Sequence, residues 1–143
     1  MKVKDIMTRD IEKIDFNSPL SQAAEKMRSS DIGVLPVEKD GKIIGIITDR
    51  DIIIRGLAMH LDPETTTVSN VMTSEVATCY DNDDLEDAIS IMEEKQIRRL
   101  VVFSRSNEPA GILTIGDLAI KADDTSLVCR AMSRICESVR VNW

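Results

Sequence analysis

The stretch Gly45-Ile46-Ile47-Thr48-Asp49-Arg50-Asp51 returns in outline as Gly111-Ile112-Leu113-Thr114-Ile115-Gly116-Asp117, and this repetition decides the fold. Met7-Thr8 likewise returns as Met72-Thr73, at nearly the same separation along the chain. The later stretch is displaced by one residue more than the earlier one, as expected for an insertion in a surface turn. The chain therefore contains two copies of one structural unit of about 65 residues.

Size and composition indicate that the two copies share one core. The chain has 143 residues, of which 43% are hydrophobic, and a unit of about 60 residues buries too little surface to be stable alone. The net charge of -7 argues against a nucleic-acid-binding protein, because such proteins usually carry a basic face. The sequence also shows neither an N-terminal signal pattern nor an apolar run of about 20 residues. We therefore predict a soluble, cytoplasmic protein that contacts neither nucleic acid nor membrane.

Each copy is predicted to contain a short strand, a helix, two further strands and a second helix. In the first copy the apolar face of the first helix carries Leu20, Ala23 and Met27, at the spacing of a helical period. Runs of branched apolar residues come next and indicate a hairpin. The second helix begins after the repeated stretch, where Thr48 and Thr114 are natural N-caps.

The repeat also divides the chain into segments. We expect a first motif at 1–60, a polar linker at 61–67, a second motif at 68–122, and a C-terminal helix with its tail at 123–143. The last helix lies outside the repeat and carries an apolar stripe. Two roles are open for that stripe, because it could cap the intramolecular core or pair with another subunit.

The Thr-x-x-Asp ends of the two stretches offer sites for a phosphorylated molecule that contains ribose. The hydroxyl of Thr48 or Thr114 and the free N–H groups of a helix start can hold a phosphate. Asp51 or Asp117 can accept two hydrogen bonds from the ribose diol. The alternative is that these residues only cap their helices. Capping does not require the same pair at the same place in both copies, and both interpretations stay open at this point.

Arg98 and Arg99 are a second unusual feature, because the first copy has Gly33 and Val34 at these positions. Adjacent side chains at the start of a strand point to opposite sides. One guanidinium is therefore expected to face a cleft, where it could bind a phosphate. The alternative is that the arginines form salt bridges with the acidic surface.

The three cysteines do not have the spacing of a disulfide framework. Cys79 stands where the first copy has Ile14, which indicates a small buried apolar side chain. Cys129 and Cys136 are predicted to stand about 10 Å apart along the last helix, which excludes a disulfide within it. A thiol or metal-dependent switch through this pair is the alternative to a ligand-binding function, although zinc usually takes about four ligands.

Together these features resemble a tandem pair of CBS (cystathionine-β-synthase) domains, also called a Bateman module. The resemblance covers roughly residues 3–122. It is carried by both G-h-h-T-x-x-D ends, the strand Ile32-Gly33-Val34-Leu35-Pro36-Val37, and the openings Asp5-Ile6-Met7-Thr8 and Asn70-Val71-Met72-Thr73. The segments 48–53 and 93–99 look like stand-alone bacterial CBS-pair proteins of the hypoxic-response type. The resemblance implies an α/β fold in which two β-α-β-β-α motifs pack around a pseudo-twofold axis, and the C-terminal helix is added to it.

The resemblance also implies two clefts between the motifs for adenosine-containing ligands such as AMP, ADP or ATP. It matches Asp51 and Asp117 to the ribose-binding aspartates of the family. It matches Thr48 and Thr114 to the hydroxyls on the phosphate side of the ligand.

Further matches concern the base and the phosphates. Arg98-Arg99 looks like the His-Arg pair that contacts phosphates in the γ subunit of AMP-activated protein kinase, and Ile32 and Ile97 match the apolar position beside the adenine. The first repeat has no matching arginine, and Ile115-Gly116 replaces Asp49-Arg50 in the second. We therefore expect the two clefts to be unequal.

The resemblance predicts a non-catalytic sensor that binds an adenine nucleotide, changes its conformation and acts on a separate partner protein. Such proteins commonly form homodimers, and no cofactor or metal is required. The sequence agrees with a protein that is not an enzyme, because its only histidine, His60, stands beside the linker without a clustered nucleophile or carboxylate.

Overall fold

The computed structural model describes the backbone of residues 1–141 and the side chains of residues 1–137. The elements follow one another in the order α1 (Val3–Ile6), β1 (Ile14–Asp15), α2 (Leu20–Ser30), β2 (Val34–Lys39), β3 (Lys42–Thr48), α3 (Asp49–Asp51), β4 (Thr78–Tyr80), α4 (Leu85–Lys95), β5 (Arg99–Phe103), β6 (Pro109–Thr114), α5 (Ile115–Lys121) and α6 (Thr125–Val141). The fold class is therefore α/β, as the resemblance to CBS-domain pairs implied.

The chain divides into two compact units. The first-repeat unit comprises residues 12–76, and the second-repeat unit comprises residues 1–11 together with the described residues from 77 onward. Each unit has its own hydrophobic core, so the expectation of one core shared by the two copies is wrong. The motifs expected at 1–60 and 68–122 are contiguous in sequence, whereas each compact unit takes its opening segment from the other copy.

Both units contain the same three-stranded sheet. In the first-repeat unit β1 is parallel to β2, and β2 is antiparallel to β3. In the second-repeat unit β4, β5 and β6 pair in the same way. The parallel pair requires a crossover connection, which α2 supplies in one unit and α4 in the other. In both hairpins the register of strand pairing shifts at the equivalent position, directly after Val37 and after Val102. The two units therefore share this irregularity of the sheet as well.

The crossover helices bury the predicted apolar faces. In α2 the buried side chains are Leu20, Ala23 and Met27. In α4 they are Leu85, Ala88, Ile89 and Met92. Each helix ends at a residue in the left-handed conformation, Asp31 or Gln96, which stops the helix and turns the chain toward the next strand.

The helical segment after β3 is less regular than the predicted single helix. Its first turn is α-helical, residues Ile52–Gly56 form a π-helix, and Leu57–Met59 form a 3-10 helix. Gly56 is buried, and a Cβ atom there would lie 3.1 Å from a methyl group of Leu20. We attribute the irregularity to this close approach together with the run of three isoleucines, because β-branched residues are weak helix formers.

Each Met-Thr opening pairs with the glycine-bearing strand of the other copy. Thr8 forms an antiparallel bridge with Ile112, and Thr73 forms one with Ile46. Both bridges exchange two backbone hydrogen bonds. The N···O distances are 2.9 Å and 2.9 Å in the first bridge, and 2.9 Å and 2.8 Å in the second.

The glycines of the repeated stretches make these bridges possible. A Cβ atom on Gly45 would lie 2.7 Å from the carbonyl oxygen of Thr73, and one on Gly111 would overlap the carbonyl oxygen of Thr8. Because these two carbonyl oxygens belong to the backbone, no side-chain rotation could relieve either overlap. The glycine of the G-h-h-T-x-x-D pattern is therefore required for close backbone approach.

Helix α6 completes the core of the second-repeat unit. Its buried side chains are Val128, Ala131 and Ile135, which pack with the buried residues of α4 and the sheet. Arg134 also forms a salt bridge with Glu93 of α4 at 3.1 Å. Of the two roles open for the apolar stripe, the structure shows the intramolecular one. Among the residues that the structure describes, no helix combines the length and apolar character needed to cross a membrane.

Candidate ligand-binding sites

Thr48 and Asp51 form a reciprocal cap at the start of α3. Thr48 Oγ1 accepts a hydrogen bond from Asp51 N at 3.1 Å, and Thr48 N donates to Asp51 Oδ2 at 3.0 Å. The other carboxylate oxygen, Oδ1, lies 3.9 Å from Nε of Arg55, and the Asp51 side chain is 13% exposed. The capping interpretation is confirmed, but the cap engages only one carboxylate oxygen and so does not exclude ligand binding.

Asp117 has the same cap and additional partners. Its Oδ2 accepts hydrogen bonds from Thr114 N and Thr114 Oγ1, each at 2.9 Å. Its Oδ1 accepts from Thr8 Oγ1 at 3.1 Å and from Lys121 Nζ at 2.9 Å. The residue is 7% exposed, which makes it a buried charged residue of the second-repeat unit. A buried carboxylate needs such partners to remain ionised.

The surroundings of Asp117 determine its protonation. Desolvation by burial raises the pKa of Asp117, but the hydrogen bonds from Lys121, Thr114 and Thr8 favour the ionised form. Their combined effect is larger, so the pKa lies below the usual value of an aspartate. The carboxylate is therefore negatively charged, as an acceptor of hydroxyl hydrogen bonds should be.

The arginine pair lies beside the start of α5. Arg99 pairs with Thr114 across the β5–β6 hairpin, and the carbonyl oxygen of Arg98 accepts a hydrogen bond from Ile115 N at 3.1 Å. Arg98 is exposed and Arg99 is half-buried. Among the side chains that the structure describes, neither guanidinium forms a salt bridge. The salt-bridge alternative is therefore not what the structure shows, and the role of the pair in phosphate binding stays a prediction.

The first-repeat unit has different residues at the corresponding place. Asp49 N donates to the carbonyl oxygen of Gly33 at 3.0 Å, and a Cβ atom on Gly33 would lie 3.0 Å from the Asp49 carboxylate. Gly33 therefore leaves room for the acidic side chain of Asp49. At the equivalent place the second-repeat unit has the basic residue Arg98 beside Ile115. The two helix starts differ in local charge.

The structure thus distributes the predicted site residues between the two units. Those in the first-repeat unit are Ile32, Thr48 and Asp51, and those in the second-repeat unit are Ile97, Arg98, Arg99, Thr114 and Asp117. The two isoleucines are half-buried against the cores of their units. Their contact with an adenine stays a prediction.

Sequence reasoning missed Thr8, Arg55 and Lys121 as neighbours of the aspartates. The two basic residues each stand four positions after an aspartate, so both form i,i+4 pairs on a helix. This spacing is visible in the sequence as Thr-x-x-Asp-x-x-x-Arg/Lys. Thr8 gave no such signal, because only the tertiary structure brings it to Asp117.

The remaining chemically reactive residues are dispersed. Cys79 is buried as predicted, and burial followed by the nearby charge of Asp83 raises its thiol pKa to about 12. Cys129 is exposed and Cys136 is half-buried. Within the part of the chain that the structure describes, no three His, Cys, Asp or Glu side chains are grouped to hold a metal ion. The thiol switch stays a prediction.

Comparison with known proteins identifies the family. The family model described as "CBS domain" matches residues 3–57 and 68–123. The chain belongs to the CBS-domain family. It contains two such domains, and its sheets, caps and bridges repeat accordingly.

Known CBS-domain proteins resemble the chain over most of its length. The "CBS domain-containing protein YhcV" of Bacillus subtilis is 36% identical over 133 residues, which cover 93% of this chain and 94% of the relative. A crystal structure of Hypoxic Response Protein I with two coordinated zinc ions is 35% identical, covers 85% of this chain and 98% of its own, and superposes with a TM-score of 0.74. The CBS domain pair of protein MJ0100, in complex with 5'-methylthioadenosine and S-adenosylmethionine, is 27% identical. It covers 83% of this chain and 93% of its own, with a TM-score of 0.73.

Proposed function

We propose that the protein is a non-catalytic regulatory module that binds adenosine-containing ligands at its two Thr-x-x-Asp helix starts. One observation carries the proposal. A nearly buried aspartate, capped by a threonine, stands at the end of the same hairpin in both units. Capping alone is satisfied by many residue types, whereas an adjacent pair of ribose hydroxyls is best accepted by a carboxylate.

Each predicted residue has a physical role in this proposal. The carboxylates of Asp51 and Asp117 accept hydrogen bonds from the ribose hydroxyls. The side chains of Ile32 and Ile97 offer an apolar surface to the adenine, because both are half-buried. The guanidiniums of Arg98 and Arg99, at the start of β5, bind phosphate oxygens, since guanidinium and phosphate form charge-assisted hydrogen bonds.

The ligands of a relative support the adenosine moiety as the recognised group. The MJ0100 domain pair is bound to 5'-methylthioadenosine and S-adenosylmethionine. These molecules share adenosine and differ in the group attached at the ribose 5' position. Arg98 and Arg99 lie beside Thr114 and form no salt bridge within the described residues. Their positive charges favour a phosphorylated ligand in this chain, so AMP, ADP and ATP are the first candidates.

A regulatory role requires that ligand binding changes an interaction with another molecule. A ligand shifts a conformational equilibrium only if it binds one state more tightly than the other. We propose that the recipient of the signal is a separate cytoplasmic protein and that the module is a homodimer. The exposed apolar side chains of Ile53, Ile54 and Leu57 support self-association, because such residues are costly to leave in water.

Calorimetric titration with AMP, ADP, ATP and S-adenosylmethionine tests the proposal. Asp51→Asn and Asp117→Asn keep an oxygen for the helix cap and remove the negative charge, and each should remove binding at its own site. Asp123→Asn is the matched control, because this exposed aspartate is on the surface of the second-repeat unit. The proposal fails if none of the four ligands binds, or if the double variant binds as the wild type does. A dimer that forms only on oxidation and is lost in Cys129→Ser would favour the thiol switch instead.

A further inference from the structure

The two candidate ribose-binding carboxylates differ in how many hydrogen bonds they already accept. A carboxylate offers about four lone-pair positions on its two oxygens. Asp117 accepts four hydrogen bonds, from Thr114 N, Thr114 Oγ1, Thr8 Oγ1 and Lys121 Nζ. Within the described residues, Asp51 accepts one, from Thr48 N.

The basic residue one helical turn later explains much of this difference. Lys121 Nζ reaches Asp117 Oδ1 at 2.9 Å and also donates to the carbonyl oxygen of Ile6 at 3.1 Å. Arg55 turns away from its aspartate. Its Nη1 donates to the carbonyl oxygen of Met72 at 3.2 Å, and its Nε stays 3.9 Å from Asp51.

The threonines of the two Met-Thr openings differ as well. Thr8 forms a backbone bridge with Ile112 and donates its hydroxyl to Asp117 Oδ1. Thr73 forms the equivalent bridge with Ile46. In the described structure its hydroxyl makes no hydrogen bond to Asp51, so the oxygen Oδ1 of Asp51 carries no donor.

We infer that adenosine fills the two sites in a fixed order, the Asp51 site before the Asp117 site, because Lys121 and Thr8 occupy the carboxylate oxygen that the ribose needs at the second site. This inference rests on the proposed function and adds the order in which its two sites bind the ligand. A ribose diol at Asp51 gains hydrogen bonds to an unoccupied oxygen. A diol at Asp117 must first displace donors that are already bound, which lowers its net gain.

Filling the second site has a structural consequence. The two donors on Asp117 Oδ1 both hold the N-terminal segment, Thr8 through its own hydroxyl and Lys121 through the carbonyl oxygen of Ile6. A ligand that displaces them loosens the attachment of residues 1–8 to the rest of the second-repeat unit. For a ligand recognised through its adenosine alone, the Asp117 site would therefore respond only at high concentration, and its response would be a change in the N-terminal segment.

Calorimetry with adenosine isolates the effect on the ribose. Adenosine carries no phosphate, so removing the positive charge of Lys121 does not weaken attraction to the ligand. Asp51→Asn leaves only the Asp117 site, and Asp117→Asn leaves only the Asp51 site. We expect the Asp51 site to bind about tenfold more tightly, since a charge-assisted hydrogen bond must be replaced at the other.

Lys121→Met in the Asp51→Asn background should tighten binding by about tenfold, and Thr8→Val should tighten it by about threefold because a neutral donor is weaker. Thr8→Val changes no charge and serves as the second variant if Lys121→Met unfolds. Arg55→Met in the Asp117→Asn background is the matched control and should change affinity by less than about twofold, because its ion pair is long.

The outcomes separate this inference from the proposed function. Tighter binding in Lys121→Met and Thr8→Val, with little change in Arg55→Met, supports the order of filling. Equal affinities at the two sites, or weaker binding in Lys121→Met and Thr8→Val, overturn the order while the proposed function stands. Absence of adenosine and nucleotide binding in every variant and in the wild type overturns both.

Discussion

Replacing Gly111 by alanine should destabilise the second-repeat unit by about 3–4 kcal/mol. The added Cβ would overlap the carbonyl oxygen of Thr8 and lie 3.4 Å from the sulfur of Met7. The opening segment must then move away from β6. Two backbone hydrogen bonds of 2.9 Å between Thr8 and Ile112 are lost, at about 1 kcal/mol each, and the displaced core adds about 1–2 kcal/mol.

Thermal unfolding followed by circular dichroism measures this loss. For a chain of this length each kcal/mol corresponds to about 3 °C, so the melting temperature of Gly111→Ala should fall by about 9–12 °C. Gly116→Ala is the matched control. Its Cβ would lie 3.4 Å from Thr114 Oγ1, an ordinary contact, and alanine is a better helix former than glycine. A wild-type melting temperature for Gly111→Ala, or an equal loss in both variants, would show that close approach of the opening segment is not why glycine is needed.

Three further predictions concern the thiols, the buried aspartate and the last helix. In the folded protein a thiol reagent at pH 8 should label Cys129 but leave Cys79 unmodified until denaturant is added. The reason is that burial raises the pKa of Cys79 to about 12. Mass spectrometry of the labelled peptides shows which cysteine has reacted. Asp117→Asn should be less stable than the wild type at neutral pH, and this difference in stability should shrink as pH falls below about 4. The reason is that a carboxyl whose pKa is lowered by folding stabilises the protein only while it is ionised. Urea unfolding midpoints of both proteins between pH 7 and pH 3 test this. Ile135→Ala should lower the free energy of unfolding by about 2–5 kcal/mol, because it leaves a cavity in the core. Ser133→Ala, on the exposed face, should lower it little. Equal urea midpoints for the two variants would place the apolar stripe of α6 outside the core.

Much of the fold could be predicted because the signals are local and occur twice. The apolar spacing of Leu20, Ala23 and Met27 depends only on helical geometry. The caps at Thr48 and Thr114 depend on residues three positions apart, and both are confirmed. The helical segment after β3 was predicted less well, since its π-helical turn depends on packing as well as on local propensity.

The positions of the two capped aspartates could be predicted, but their other hydrogen-bond partners could not. The Thr-x-x-Asp pattern names the carboxylates, and the family resemblance supplies their expected ligand. The number of donors on each carboxylate depends on which way Arg55 and Lys121 turn, and on Thr8, which is distant in sequence from Asp117. A pattern of residue types contains no information about such long-range contacts.

The sequence by itself determined that the chain repeats a unit of about 65 residues with one Thr-x-x-Asp pattern in each copy, because these features are visible as residue spacings, and its motifs resemble those of CBS domains. Only the tertiary structure decided that the Met-Thr opening of each copy pairs with the other copy's strand and that α6 closes the core of the second-repeat unit. It also decided that the Asp117 carboxylate accepts four hydrogen bonds, whereas the Asp51 carboxylate accepts one within the described residues. The physical reason is that backbone pairing, burial and hydrogen bonding between distant segments are settled by how the chain packs. Two nearly equal sequence patterns can therefore end in unequal sites.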